Sequence, residues 1–203
     1  MSSRWPRTLV LVVMATIAGG LFAADKKDAK NPQMDEKAMM EAWMKAATPG
    51  DQHKKLQPVI GTWDVQVKSW MAPGAPPEES TGTSESTWAL GGRYVQQTFH
   101  GSMMGQPFEG IGYIGYDNIR KQYVSTWMDN MSTAVMSSTG SLDPSGKGMT
   151  FKGTMDDPMS GKPMKTEEKM SIGDNDHHML EMWSPGPDGK MFKSMEITYT
   201  RKQ

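Results

Sequence analysis

From Gly61 to Arg201 the side chains change character every second residue, between recurrent turn signals, and this pattern constrains the fold more than any other feature. Trp63, Val65 and Val67 alternate with Asp64, Gln66 and Lys68, the mark of a strand with one buried face. Turn signals then arrive about every 8–14 residues, as in an all-β sandwich or barrel. The Pro/Gly-rich segment 73–77 closes the first strand, Gly91-Gly92 separates 81–90 from 93–100, and Asp117-Asn118 divides 106–116 from 120–129. Further turns fall at Asp143-Pro144-Ser145-Gly146, at Asp157-Pro158 with Ser160-Gly161, at 173–176 and at 185–189. In the last stretch Met191, Met195, Ile197 and Tyr199 are expected on one face, against Phe192, Ser194, Glu196 and Thr198. About ten strands in a meander leave two free edges unless the sheet closes on itself. The expected fold is therefore all-β: a closed up-and-down antiparallel barrel of about ten strands.

The chain ahead of the barrel divides in three. Arg4 and Arg7, an apolar run over 8–22 and the small pair Ala23-Ala24 read as a cleaved secretory signal, residues 1–24. A spanning helix takes about 20 apolar residues, so no membrane span is expected after cleavage. The expected location is periplasmic or secreted. Residues 25–37 are charged, contain Pro32 and read as a flexible linker. A single domain follows over 38–203. It begins with Met39, Met40, Trp43, Met44 and Ala47 on one helical stripe, ended by Pro49-Gly50 and expected to form a lid. A short turn at 51–56, capped by Asp51, comes next.

Composition removes several function classes. Lys and Arg total 22 against 23 Asp and Glu, which gives no electrostatic footprint for nucleic acid. The chain has no cysteine, hence no disulfide, thiol nucleophile or iron–sulfur cluster. The segment 110–115 matches G-x-G-x-x-G, but a hairpin turn rather than a helix follows it, so its glycines are expected to admit close neighbours instead of a dinucleotide. Adjacent strand residues face opposite ways, so His177 and His178 are not expected to share a metal, nor Glu167 and Glu168 to act as a carboxylate pair. No metal site or catalytic residue is assigned; His100, His177 and His178 are weak candidates for single-histidine haem ligation. Methionine is abundant, at 21 residues, and thioethers bind Cu(I). Yet Met128/Met131 and Met179/Met182 do not extend into a repeat, and most methionines replace Leu or Ile at strand positions, as cavity lining. No cofactor is expected, haem or copper being the alternatives. Trp70, Trp88, Trp127 and Trp183 are expected as core and cavity wall.

Trp63 opens the first strand and Arg201 closes the last, on matching parity. This pair resembles the barrel-closing device of the calycins, the lipocalins and fatty-acid-binding proteins. Over residues 40–202 the chain also resembles the bacterial family called domain of unknown function 1579. The resemblance lies in Ala46-Ala47-Thr48-Pro49-Gly50-Asp51-Gln52-His53, Gly61-Thr62-Trp63, Gly91-Gly92-Arg93-Tyr94, Met104-Gly105-Gln106-Pro107-Phe108-Glu109-Gly110, Gly115-Tyr116-Asp117-Asn118, Ser125-Thr126-Trp127 and Met195-Glu196-Ile197-Thr198-Tyr199. It implies a calycin-like barrel and brings no assigned activity. The expected function is binding of a small apolar or amphipathic molecule in the barrel mouth, lined by Val95, Gln97, Phe99, Tyr123, Trp127 and Met195. The alternatives are a haem or copper redox protein and an interaction module with a filled barrel.

Overall fold

Ten antiparallel strands follow one another round a closed ring. They are β1 (Gly61–Ser69), β2 (Glu78–Ala89), β3 (Tyr94–Met103), β4 (Gln106–Asp117), β5 (Gln122–Asp129), β6 (Met136–Leu142), β7 (Gly148–Asp156), β8 (Pro163–Ile172), β9 (His177–Pro185) and β10 (Met191–Arg201). Each pairs with its predecessor and β10 returns to β1, so the ring leaves no strand edge unpaired. The structure, a computed structural model, describes residues 36–157 and 160–203. The signal sequence and nearly all of the linker expected from the sequence lie outside the described residues.

Residues directly opposite on neighbouring strands share a face, so the register assigns the lumen side unambiguously. Trp63 faces Ser84, Ser84 faces Phe99, Phe99 faces Gly110, and Gly110 faces Asp129. In the other direction Val67 faces Ile197, Ile197 faces Leu180, Leu180 faces Met170, and Met170 faces Met149. One strand departs from plain alternation. The register of β10 slips between Lys193 and Met195, which turns Phe192, opposite Ser184, inward. Met191 consequently points out and is 43% exposed, although simple parity grouped it with Met195.

Two tryptophans expected inside lie outside. Trp183 pairs with outward Glu167 and carries Lys169 Nζ 4.6 Å from its ring centroid. Trp70, just past β1, lies under Lys193 Nζ at 5.3 Å. Both rings are covered by lysine stems and ammonium groups rather than by core. Trp88 and Trp127 hold inward positions.

Helix α1 (Glu36–Ala47) forms where the stripe predicts, but buries no residue, and Trp43 at its centre is 65% exposed. It is no lid. The cover comes from the next segment, α2 (Asp51–Lys54) and a 3-10 turn, Gln57–Val59, which place Leu56 (0% exposed) and Val59 (6%) in one end of the barrel. Gly50, not Asp51, caps α2, and its N–H donates to His53 Nδ1 at 3.0 Å.

Candidate functional site

The two ends of the barrel are built differently. At the plugged end Trp63 is fully buried and its indole N–H donates to the Val59 carbonyl at 3.0 Å. The Arg201 guanidinium lies 4.1 Å from the Trp63 ring centroid and donates to the carbonyls of Ile60 (2.9 Å), Pro58 (3.2 Å) and Asn175 (2.7 Å). Gly61 makes room for it: a Cβ there would lie 2.2 Å from Arg201 Nη1, and its φ of 140° suits glycine alone. Leu56, Val59, Val95, Tyr123, Met149 and Phe151 form the floor cluster. The Tyr123 hydroxyl donates to the Gln52 carbonyl at 3.0 Å, tying α2 to β5.

His178 lies just above this floor, edge-on to Trp63 at 4.3 Å and stacked on Tyr199 at 4.1 Å. Burial, with the Arg201 charge beside it, lowers its pKa to about 4, so the imidazole is neutral near pH 7, and its Nδ1 has no hydrogen-bond partner. The other two weak haem candidates face out: His100 beside Glu109 and His177 beside Asp174. Among His, Asp and Glu of the described residues, no group of three stands close enough to hold a metal ion.

The opposite half of the lumen is lined differently. Met103, Met136, Met155, Met164, Met182 and Met195 all hold inward positions there, and each keeps part of its surface accessible. Phe99 and Phe108 meet edge-on at 5.7 Å on one wall. Trp127 crosses the wall beneath Gly110 and Gly112, and donates to Asp129 Oδ2 at 3.0 Å. A Cβ at Gly110 would lie 2.1 Å from the Trp127 ring, so Gly110 and Gly112 make room for that ring, as Gly115 does for Tyr94. Gly110→Ala is expected to lower stability by about 1–3 kcal/mol through overpacking. A urea midpoint equal to wild type would mean that Trp127 moves without cost.

Between the floor and the methionine collar runs a polar belt. Gln97 donates to Ser84 Oγ at 2.9 Å and hydrogen-bonds the buried Tyr199 phenol, whose pKa burial pushes to about 12. Facing them across the lumen are Ser138, Thr166 and Glu168, all buried. Burial pushes the Glu168 carboxyl above its ordinary value, partly offset by a hydrogen bond from Ser138. Among the described residues, Glu168 Oε1 and Thr166 Oγ1 have no hydrogen-bond partner.

The lining residues expected from the sequence therefore occupy three levels. Val95 and Tyr123 belong to the floor beneath Leu56, Gln97 to the belt, and Phe99, Trp127 and Met195 to the wall above. The belt itself was missed. Its signal was the run Met164, Thr166, Glu168, Met170, Ile172, in which a carboxylate holds the inward parity of an otherwise largely apolar face. Two shallow clefts, of 480 and 390 Å³, lie outside the plugged end, beside Lys147 and Asp174 and beside His53 and Trp88. The unpartnered polar atoms Thr166 Oγ1, Glu168 Oε1 and His178 Nδ1 lie in the lumen instead.

Among solved structures, the barrel is similar to Rv2717c from M. tuberculosis, at 13% identity over 77% of this chain and 100% of that one, with a TM-score of 0.58. It is also similar to the S-type phycobiliprotein lyase CPES from Guillardia theta, at 12% identity over 79% of this chain and 97% of that one, with a TM-score of 0.52. At these identities the likeness is one of fold. No curated protein matches the chain. Residues 48–201 match the family described as protein of unknown function, DUF1579, and the chain belongs to that family.

Proposed function

We propose that this protein is an exported carrier that holds one small apolar or amphipathic molecule in the methionine-lined half of its barrel. The observation that carries the reading is a contrast within one wall. Inward residues near the plug, such as Trp63, Val95 and Met149, are 0–1% exposed. Inward residues of the other half, such as Trp127, Met164 and Met195, keep accessible surface although strands enclose them on every side. A lumen floored at one end, with partly accessible side chains toward the other, suits a ligand that enters from one side only. Methionine suits such a wall, because an unbranched thioether adapts to a guest where Leu or Ile would fix the shape. Export rests on Arg4, Arg7, the apolar run over 8–22 and Ala23-Ala24.

Native mass spectrometry of the chain recovered from its source cells, before and after incubation with a bacterial lipid extract, tests both parts. The expected result is a polypeptide beginning at Asp25 that carries one adduct per chain, removed by organic extraction. A chain that takes up no mass from the extract overturns the carrier reading. Residues 1–24 still attached to soluble cytosolic protein overturn export.

Cu(I) is the second occupant with an observation behind it. Met155 faces Met164 across β7 and β8, and Met136 stands one step beyond the Ser137–Thr154 pair on β6, so three thioethers share one level of the lumen. Copper retained at one equivalent against a Cu(I) chelator is the result that would favour it.

A further inference from the structure

The polar belt narrows the class of ligand, on the reading that the lumen is a binding site. Glu168 and Thr166 stand two residues apart on the inner face of β8, and are 7% and 3% exposed. Each offers one oxygen that makes no hydrogen bond among the described residues. A buried acceptor without a donor costs about 1–3 kcal/mol, more when it is charged, so two together point to a donor supplied from outside.

Apart from Arg201 at the plugged end, the charges that the register places on the inner face are negative. By register, Glu168 at mid-barrel, Asp129 at the end of β5 and Glu78 at the start of β2 hold inward positions. Among the described residues the inner face carries no lysine, and Arg201 at the plugged end is its only arginine. That side chain is committed to the Trp63 ring, to three carbonyls and to Asp176 at 3.2 Å. His178 is the one imidazole at an inward strand position among the described residues. The Lys169 and Lys193 ammonium groups lie outside, over the Trp183 and Trp70 rings. Glu168 therefore has no cation within the barrel. Above it, thioether sulfurs and the faces of Trp127, Phe99 and Phe108 supply soft, electron-rich surroundings of the kind that accept the carbons flanking a positive nitrogen.

We infer that the lumen takes an amphipathic organic amine, its ammonium group donating to Glu168 Oε1 and Thr166 Oγ1 and its apolar portion lying in the methionine collar. The amine enters past Asp129 and Glu78, whose charges attract it and repel a carboxylate. Pairing with Glu168 then replaces the water that the nitrogen gives up.

The test titrates the wild-type barrel, Glu168→Gln and Thr166→Val with n-octylamine, n-octanol and n-octanoate by calorimetry at pH 7.5. These probes share one chain and differ only in the head group. Wild type is expected to bind octylamine at least tenfold more tightly than octanol, and octanoate more weakly than either. Glu168→Gln should abolish the preference for amine over alcohol while leaving octanol binding within about twofold. Thr166→Val, which keeps the carboxylate, should weaken octylamine severalfold. Octanol or octanoate binding wild type as tightly as octylamine would overturn the amine assignment and leave the carrier reading standing. So would an amine preference that survives Glu168→Gln. If none of the probes binds wild type, the lumen reading falls and the amine assignment with it.

Discussion

Trp63→Ala should remove about 3–5 kcal/mol of folding stability. The indole is 0% exposed and forms the junction of three structures. Its N–H holds the Val59 carbonyl of the plug, its face carries the Arg201 guanidinium that joins β1 to β10, and its edge of contact fixes the His178 ring. Alanine would leave a cavity, strand the Val59 carbonyl without its donor, and expose Arg201 and the end of the β1–β10 seam to water. Domains of this size have about 5–15 kcal/mol in total, so the loss would take a large fraction of it. Urea denaturation followed by circular dichroism measures the effect as a fall in midpoint at constant slope. Trp63→Phe keeps a buried ring and loses only the donor, so its cost should be nearer 1–2 kcal/mol. Pairing each variant with Arg201→Met, which keeps the stem and discards the charge, isolates the ring–guanidinium contact at about 1 kcal/mol of coupling. A Trp63→Ala midpoint equal to wild type would mean that the barrel closes through strand pairing alone.

The sequence made this end of the molecule legible because its constraints are local and periodic. Alternation from Trp63 to Val67 and the glycine, proline and asparagine turn signals specified ten strands, and parity at Trp63 and Arg201 anticipated which residues meet across the seam. Where an extra residue enters a strand, parity fails, which is why Met191 and Phe192 exchanged faces at the β10 irregularity. Trp183 departs from its expected face for a different reason. A large aromatic reads as core by type, and only the register shows that it pairs with outward Glu167 and lies beneath Lys169. Helix α1 is the reverse case. Met39, Met40, Trp43 and Met44 form a true amphipathic stripe, but period says which face is apolar and not whether anything covers it.

The polar belt illustrates a subtler limit. Adjacent strand residues cannot cooperate across a substrate, and Glu167 and Glu168 do not: Glu167 lies outside among Lys152 and Lys169. The same rule sends Glu168 inward, alone, into a wall otherwise lined by Met164, Thr166, Met170 and Ile172. Its hydrogen-bond donor Ser138 and the neighbouring Tyr199–Gln97 pair come from three other strands, and no local spacing connects them. A single acid on the inward parity of an apolar strand face is thus the part of the site that the sequence offered. The belt around it belongs to the closed ring.

Acidification should destabilise the barrel chiefly through His178. The imidazole stands between Trp63 and Tyr199 near Arg201, and its pKa falls from 6.5 to about 4. In the unfolded chain it takes a proton as pH drops below 6.5, whereas the folded barrel refuses that proton until about pH 4. The unfolded state therefore binds more protons across this window, and stability is lost as pH falls through it, by roughly 3 kcal/mol at 1.36 kcal/mol per unit. Burial lowers His53 as well, which adds a contribution of the same sign. Glu168 acts oppositely: its raised pKa means that the unfolded carboxyl ionises first as pH climbs above 4.5, so its burden appears on the alkaline side of that value. Urea midpoints at pH 7.5, 6.5, 5.5 and 4.5 separate these effects. Wild type should lose stability steadily on descending the series. His178→Phe, whose ring can still stack on Tyr199, should keep only the residual slope from His53 and the carboxylates. Glu168→Gln should gain most over wild type at pH 7.5 and least at 4.5. Equal losses from pH 6.5 to 4.5 in wild type and His178→Phe would mean that water or a bound guest reaches the imidazole and accepts its charge inside the barrel.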